Sequence, residues 1–272
     1  MNYLGIIPAR YQSSRFPGKP LALIGGKPMI QRVYEQASKV LEQVVVATDD
    51  ERIRDCVTAF GGQVVMTRKD HRCGTERCLE AWQKTADSML AKHGEKTPTV
   101  IINIQGDEPF IQPAQIHALM QCFEGEEGRI TQIATLVKPY TSADSWEDLA
   151  NPNTPKVAVA WGDTNIGTAL LFSRSIIPYL RGIPQEEWLQ KGLHYRHIGM
   201  YAYRSEVLPK VIQLPPSQLE QAESLEQLRW LEKGYTIRVA RCDTASIGID
   251  TPEDLEKAER WLRQTNVSTK LG

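Results

Sequence analysis

The stretch Ile6-Ile7-Pro8-Ala9-Arg10-Tyr11-Gln12-Ser13-Ser14-Arg15-Phe16-Pro17-Gly18-Lys19-Pro20 decides how the chain is read. The apolar run Leu4 to Ile7 stops at Pro8, which has no amide hydrogen to give a sheet ladder. A buried strand ends there and a loop begins. That loop holds Arg10, Arg15 and Lys19 and no carboxylate, in a chain whose formal net charge is only -1. Three cations so close repel one another unless an anion sits among them, and the planar fork of arginine matches phosphate oxygens. The strand end is suited to a polyphosphate.

Outward from this loop the pattern alternates. Pro28 opens an amphipathic helix to about Val40, Gln43 to Ala47 is a β-branched strand, and a helix from Glu51 to Phe60 stops at Gly61-Gly62. Val64 to Thr67 is a short strand, Thr75 to Lys92 a long helix, Thr99 to Ile104 another strand, and a further helix begins near Pro113. Strands and helices alternating at this spacing predict an α/β fold with a mostly parallel, doubly wound sheet. Ligands then sit beyond the carboxyl ends of the strands. The segments to inspect are Pro8 to Lys19, Thr48-Asp49-Asp50, Arg68 to Arg77, and Gln105-Gly106-Asp107-Glu108-Pro109. In the last, Gly106 allows close backbone approach and two carboxylates stand before Pro109, a pair that a divalent cation such as magnesium would offset.

Beyond Gly128 strands follow one another: Ile130 to Val137, Lys156 to Trp161, Thr168 to Phe172 and Tyr195 to Tyr203. They predict an antiparallel β insertion at about 130–205 within a single domain spanning 1–272, a face suited to a dimer interface. Pro215-Pro216-Ser217 then opens a helix to about Lys233, with Leu219, Ala222, Leu225, Leu228 and Leu231 as its apolar stripe and Gly234 as its stop. Thr236 to Ala240 returns to strand. Thr251, Pro252 and Asp254 form a capping-box start for the last helix, which leaves Asp250 uncommitted, and the tail beyond about Gln264 is expected to fray.

Composition narrows the function. With a net charge of -1 and a pI near 6.5, nucleic acid and anionic membrane are excluded as partners held by bulk charge, and small molecules fit better. The start of the chain lacks a basic region followed by an apolar run, and nowhere do about 18 apolar residues stand together, so a soluble cytoplasmic protein is expected. Five cysteines without a Cys-x-x-Cys pair indicate a reducing compartment, and the spacing of His71, Cys73 and Cys78 matches no standard zinc motif. Gly-Lys-Pro occurs at Gly18 to Pro20 and again at Gly26 to Pro28, but proline replaces the magnesium-binding Ser or Thr of a Walker A loop. No Gly-x-Gly-x-x-Gly follows the first strand, against a dinucleotide oxidoreductase. A basic loop, an acidic pair and an uncommitted aspartate describe a site for a nucleoside triphosphate with magnesium, where the α-phosphorus is attacked and pyrophosphate leaves.

The residues also resemble a family. Ile7 to Tyr11 with Ser14 to Leu21, Asp70 to Arg77, Gln105 to Pro109, Asn151-Pro152-Asn153, Phe172-Ser173-Arg174, Arg196 to Arg204, Leu225 to Arg229 and Gly248 to Leu255 are similar, in order, to the signatures of the 3-deoxy-manno-octulosonate (Kdo) cytidylyltransferases. Cys73 stands where that family commonly has Ser, Phe16 where Leu is usual, and Pro184 to Gly192 has no counterpart. The resemblance implies a Rossmann-like nucleotidyltransferase fold, a magnesium-dependent cytoplasmic homodimer, and transfer of CMP from CTP to Kdo for lipopolysaccharide synthesis. It implies that Arg10, Arg15 and Lys19 hold the triphosphate, that Asp107 and Asp250 share the magnesium, and that Gly74, Thr75 and Arg77 belong to the nucleotide pocket. Gln105, Arg174, His197, Tyr201, Glu226 and Gln227 match its sugar-acid pocket. Two alternatives stand beside it: the same chemistry on another 2-keto sugar acid (8-amino-Kdo or a sialic acid), and a nucleotide-binding regulator without turnover.

Overall fold

The computed structural model of the chain describes residues 1–13, 15–93, 99–244 and 248–268, without the side chains of 87–93 and 264–268. Two compact units emerge, Met1–Pro113 with Ser246–Gly272, and Ala114–Ala245.

The first unit runs β1 (Tyr3–Ala9), a 3-10 turn (Lys19–Leu21), β2 (Leu23–Ile24), β3 (Lys27–Pro28), α1 (Met29–Ala37), β4 (Val44–Thr48), α2 (Glu51–Ala59), β5 (Val64–Met66), α3 (Gly74–His93) and β6 (Val100–Asn103). Its sheet has the order β5-β4-β1-β6 with every pair parallel. All of β4 and β6 is buried, as parallel strands covered on both faces require, and α1 contributes Met29, Ile30, Val33 and Ala37 to that cover. The Asp50 side chain caps α2 by accepting the Arg52 amide at 3.0 Å. Consequently the loops after β1, β5 and β6 lie at the carboxyl edge of one sheet.

The second unit runs α4 (Pro113–Gln121), α5 (Gly125–Ile130), β7 (Ile133–Pro139), α6 (Trp146–Ala150), β8 (Lys156–Trp161), β9 (Ile166–Ser173), a 3-10 stretch (Gln185–Lys191), β10 (Tyr195–Arg204), α7 (Leu208–Ile212), α8 (Gln218–Glu223), α9 (Glu226–Glu232) and β11 (Ile237–Arg241). Strand order is β10-β7-β11-β9-β8, and a bridge between Arg196 and Lys156 brings β8 back to β10, so the sheet curls on itself. Among the described residues of this unit, β7 and β11 pair in parallel and the other pairs are antiparallel. This unit is wider than the expected insertion at 130–205, because β11 enters between β7 and β9 and draws the chain up to Arg241 into the sheet.

Several expectations are corrected. Pro28 is the residue before α1, not inside it: Gly25 and Gly26, both at positive φ, turn β2 into β3 as a two-residue hairpin. Ile130 ends a helix instead of starting a strand. The helix expected up to Lys233 is two helices. Ser224 sits at φ 51, ψ 48, and Arg174 takes the Glu223 and Ser224 carbonyls, so the turn cannot propagate. Its stripe changes accordingly: Leu225 and Leu228 are buried, while Leu219 and Ala222 are exposed. The segment without a family counterpart is anchored by Trp188, which is 2% exposed and stacks on His194. The last helix, α10 (Pro252–Ser268), continues past Gln264, and the tail from 269 lies outside the described residues.

Candidate functional site

The two aspartates are brought together by backbone. Gly106 lies against the carboxyl end of β1, where a Cβ would come within 2.9 Å of the Pro8 carbonyl, so only glycine lets β6 turn outward here. The Ile249 amide then donates to the Asp107 carbonyl at 2.9 Å, tying the approach to α10 onto that turn. At the helix start, Thr251 Oγ1 accepts from the Asp254 amide while Asp254 Oδ2 accepts from the amides of Thr251 and Asp250. The Asp250 side chain, not needed for capping, faces inward. Lys19 Nζ, only 14% exposed, donates to Asp107 Oδ2 at 2.7 Å and to Asp250 Oδ1 at 3.1 Å, and Arg15 reaches Asp250 Oδ2 at 3.1 Å.

These residues line a cleft of about 310 Å³ that also takes in Arg10, Arg72, Gly74, Arg77 and Gln105. Arg10, Arg15, Lys19, Arg72 and Arg77 face it against the two carboxylates of Asp107 and Asp250, so the cleft favours an anion. Arg10 is exposed and has no ion pair among the described residues, which leaves its fork open to solvent. The basic loop is itself braced: the Arg52 guanidinium lies 3.3 Å from the Tyr11 ring centre, and the Gly18 amide donates to the Tyr11 carbonyl at 2.8 Å.

The opposite wall is Arg68 to Arg77. Arg77 lines the cleft, yet it is 4% exposed and its Nη1 is spent on Thr67 Oγ1 at 2.5 Å, the Arg68 carbonyl at 3.3 Å and Asp49 at 3.3 Å. It builds the wall more than it offers donors. Thr75 is buried behind the lining, with 4% exposure. His71, Arg72 and Cys73 also line the cleft. The sequence points to this segment because it follows a parallel strand, but it assigns His71 no role.

In the second unit, five expected residues surround β10 and the corner between α8 and α9. Arg174 gives Nε to the Glu223 carbonyl at 2.5 Å and Nη1 to the Pro152 carbonyl at 2.8 Å, and its amide donates to Glu223 Oε2 at 2.7 Å. His197 lies between Phe172 and Tyr201, with Nε2 at 2.9 Å from Thr135 Oγ1. Burial pushes its imidazole down to about 3, so the ring is neutral and serves as a hydrogen-bonding group, not a cation. Burial, and then the nearby Glu226 carboxylate, push the Tyr201 phenol well above its usual value. Glu226 accepts from Arg229 at 2.8 Å, and Gln227 is 5% exposed. Gln105 belongs to the first unit.

Two aspartate carboxylates within reach of one nitrogen are the oxygen donors a hard divalent ion uses when phosphates and water complete its shell. The donor set fits magnesium. Asp107 and Asp250 with the cationic loop can therefore bind a nucleoside triphosphate and offset charge on a departing pyrophosphate.

The chain matches the family model described as Cytidylyltransferase over residues 4–237. A 3-deoxy-manno-octulosonate cytidylyltransferase of Parabacteroides distasonis is 57% identical over 96% of this chain and 98% of that protein. One from Phocaeicola vulgatus is 55% identical over 97% of this chain and 98% of that protein. The solved structure of CMP:2-keto-3-deoxy-manno-octonic acid synthetase complexed with CTP superposes with TM-score 0.82 at 42% identity, covering 97% of this chain and 100% of that one. A 4-diphosphocytidyl-2C-methyl-D-erythritol synthase from Anaerococcus prevotii, with TM-score 0.55 and 12% identity over 96% of this chain and 99% of that one, shares the fold alone. The α/β architecture is the Rossmann-like fold of nucleotidyltransferases.

Proposed function

The chain belongs to the cytidylyltransferase family, among the 3-deoxy-manno-octulosonate cytidylyltransferases, and from that premise we propose how its own residues carry out the transfer. The enzyme moves CMP from CTP to the anomeric hydroxyl of Kdo, giving CMP-Kdo for lipopolysaccharide biosynthesis. The anomeric oxygen forms a bond to the α-phosphorus, the bond from that phosphorus to the bridging oxygen breaks, pyrophosphate departs, and the hydroxyl proton goes to solvent. Arg10, Arg15 and Lys19 bind the β- and γ-phosphates and neutralise the charge that grows on the leaving group. Asp107 and Asp250 hold the magnesium ion. When bound, that ion supplies charge neutralisation at the α-phosphate and lowers the pKa of the attacking hydroxyl.

The nucleoside side falls to the wall that Gly74, Thr75 and Arg77 build. Gln105, Arg174, His197, Tyr201, Glu226 and Gln227 are assigned to the sugar acid. A neutral His197 and a protonated Tyr201 suit hydroxyls, while Arg174, whose Nε and Nη1 are given to the Glu223 and Pro152 carbonyls, brings positive charge for the carboxylate. The same reading carries a cytoplasmic homodimer, which light scattering on the purified protein tests.

The observation that carries the chemistry is the convergence of Asp107 and Asp250 on Lys19 Nζ beside the open Arg10. Pyrophosphate release from CTP with magnesium, measured with Kdo, 8-amino-Kdo and a sialic acid in turn, tests the whole reading. Brisk release with Kdo supports it. Release only with an analogue overturns the sugar assignment, and CTP binding without release from any acceptor overturns the catalytic role.

A further inference from the structure

Two glutamates on the first turns of α3 reach back over the loop that precedes it. Glu76 Oε2 accepts the Arg72 amide at 2.8 Å, and its Oε1 accepts Arg72 Nε at 2.7 Å. One turn on, Glu80 Oε2 accepts the Arg68 amide at 3.1 Å, while its Oε1 pairs with Lys84 at 2.8 Å. Positions four apart on a helix share a face, so both carboxylates present themselves to the same segment. The His71 ring, 4% exposed, lies between them, with Nε2 at 2.5 Å from Glu80 Oε2 and Nδ1 at 3.9 Å from Glu76 Oε2.

Burial alone would raise the Glu80 carboxyl. The hydrogen bonds from Lys84, the Arg68 amide and His71 outweigh it and bring it down to about 2. Glu80 is therefore an acceptor throughout the physiological range, and His71 Nε2 must carry the proton it donates. The loop is held at Arg68, His71 and Arg72, and its members His71, Arg72, Cys73 and Gly74 face the cleft beside the basic loop.

We propose that His71, latched by Glu80 and flanked by Glu76, is a positioning residue that sets the backbone of Arg68 to Gly74 for nucleotide binding; the inference rests on the cleft being the CTP site. The latch acts on binding: the hydrogen bonds that hold it join His71, Arg68 and Arg72 to Glu76 and Glu80, and none of these five is assigned to the sugar acid. His71→Leu removes the donor and leaves the Glu80 carboxylate without it. His71→Gln returns an amide N–H close to where Nε2 stood.

The test is CTP affinity by calorimetry, together with KM for each substrate and kcat. His71→Leu is expected to weaken CTP binding and raise KM for CTP by about tenfold or more, with KM for Kdo and saturated kcat within about twofold, and His71→Gln is expected to recover most of the loss. Native-like CTP affinity in a folded His71→Leu overturns the proposal. So does a uniform fall in kcat with both KM values raised alike, or a His71→Gln no better than His71→Leu. Should His71→Leu not fold, His71→Asn, whose amide is too short to reach Glu80, takes its place under the same criteria. Failure of the native chain to bind CTP overturns the functional reading and the latch with it, whereas native binding with an unaffected variant overturns the latch alone.

Discussion

Replacing Lys19 by methionine keeps the hydrocarbon stem and removes the charge that Asp107 and Asp250 share. Both carboxylate oxygens lie within 3.1 Å of Nζ, which puts them within about 6 Å of one another. At an effective dielectric of about 20, two like charges at that separation repel by about 3 kcal/mol, and in bulk water by about 0.7 kcal/mol. The Asp107 and Asp250 side chains are 33% and 48% exposed, so the loss falls between those limits. In metal-free buffer at low salt, Lys19→Met is expected to lose about 1–3 kcal/mol, a few degrees in Tm. Added salt narrows the gap by screening, and millimolar magnesium closes it because a divalent cation replaces the missing charge. Activity does not return with it. One phosphate-facing cation is gone, and kcat/KM in pyrophosphate release is expected to fall by about 10²–10³. A variant that melts at or above the native temperature without metal, or keeps kcat/KM within about threefold, would refute the reasoning.

Three further outcomes follow from the same geometry. Arg77→Met is expected to cost about 3–5 kcal/mol in urea unfolding, because a guanidinium that is 4% exposed leaves Asp49 and Thr67 without their partner; an effect on CTP affinity with native stability would reverse the assignment of Arg77 to the wall. His197 takes up a proton near pH 6.5 when unfolded but only near pH 3 when folded, so unfolding binds a proton between those values and stability falls as pH drops through that window. The slope approaches about 1.4 kcal/mol per pH unit, and His197→Gln should flatten that part of the profile in denaturant midpoints taken from pH 7 to 4. Thr251→Ala removes the cap that holds the Asp254 amide and should cost about 1 kcal/mol while lowering turnover through a displaced Asp250; unchanged kcat at reduced stability would show that the cap does not orient the aspartate.

Local rules made much of this legible in the sequence. Gly106 marks close backbone approach and Thr251-Pro252 with Asp254 spells a helix start, so the turn and the uncommitted Asp250 follow from neighbouring residues alone; Pro8 placed the strand end only approximately, since β1 runs through it, opposite Ala47, to Ala9. What escaped depends on contacts between distant segments. The bond from the Ile249 amide to the Asp107 carbonyl, which makes the two aspartates neighbours, leaves no periodic trace. The break at Ser224 comes from Arg174 taking two carbonyls, a tertiary contact that overrides a good helical pattern. Arg77 falls in the stretch that resembles the nucleotide pocket, but burial and Asp49 turn it inward. The role of His71 escaped too, since its partner Glu80 is found only once α3 has turned twice.

The account stands on Asp107 and Asp250 acting as one unit in front of the basic loop. Pyrophosphate release from CTP and Kdo should be measured for the native chain, Asp107→Asn, Asp250→Asn and the double variant, with melting curves for each. Each single variant is expected to lose at least about a thousandfold in kcat while remaining folded, and the double variant little more, because either loss dismantles the same charge site. Near-native turnover in either folded single variant, or losses that simply multiply in the double variant, would contradict it.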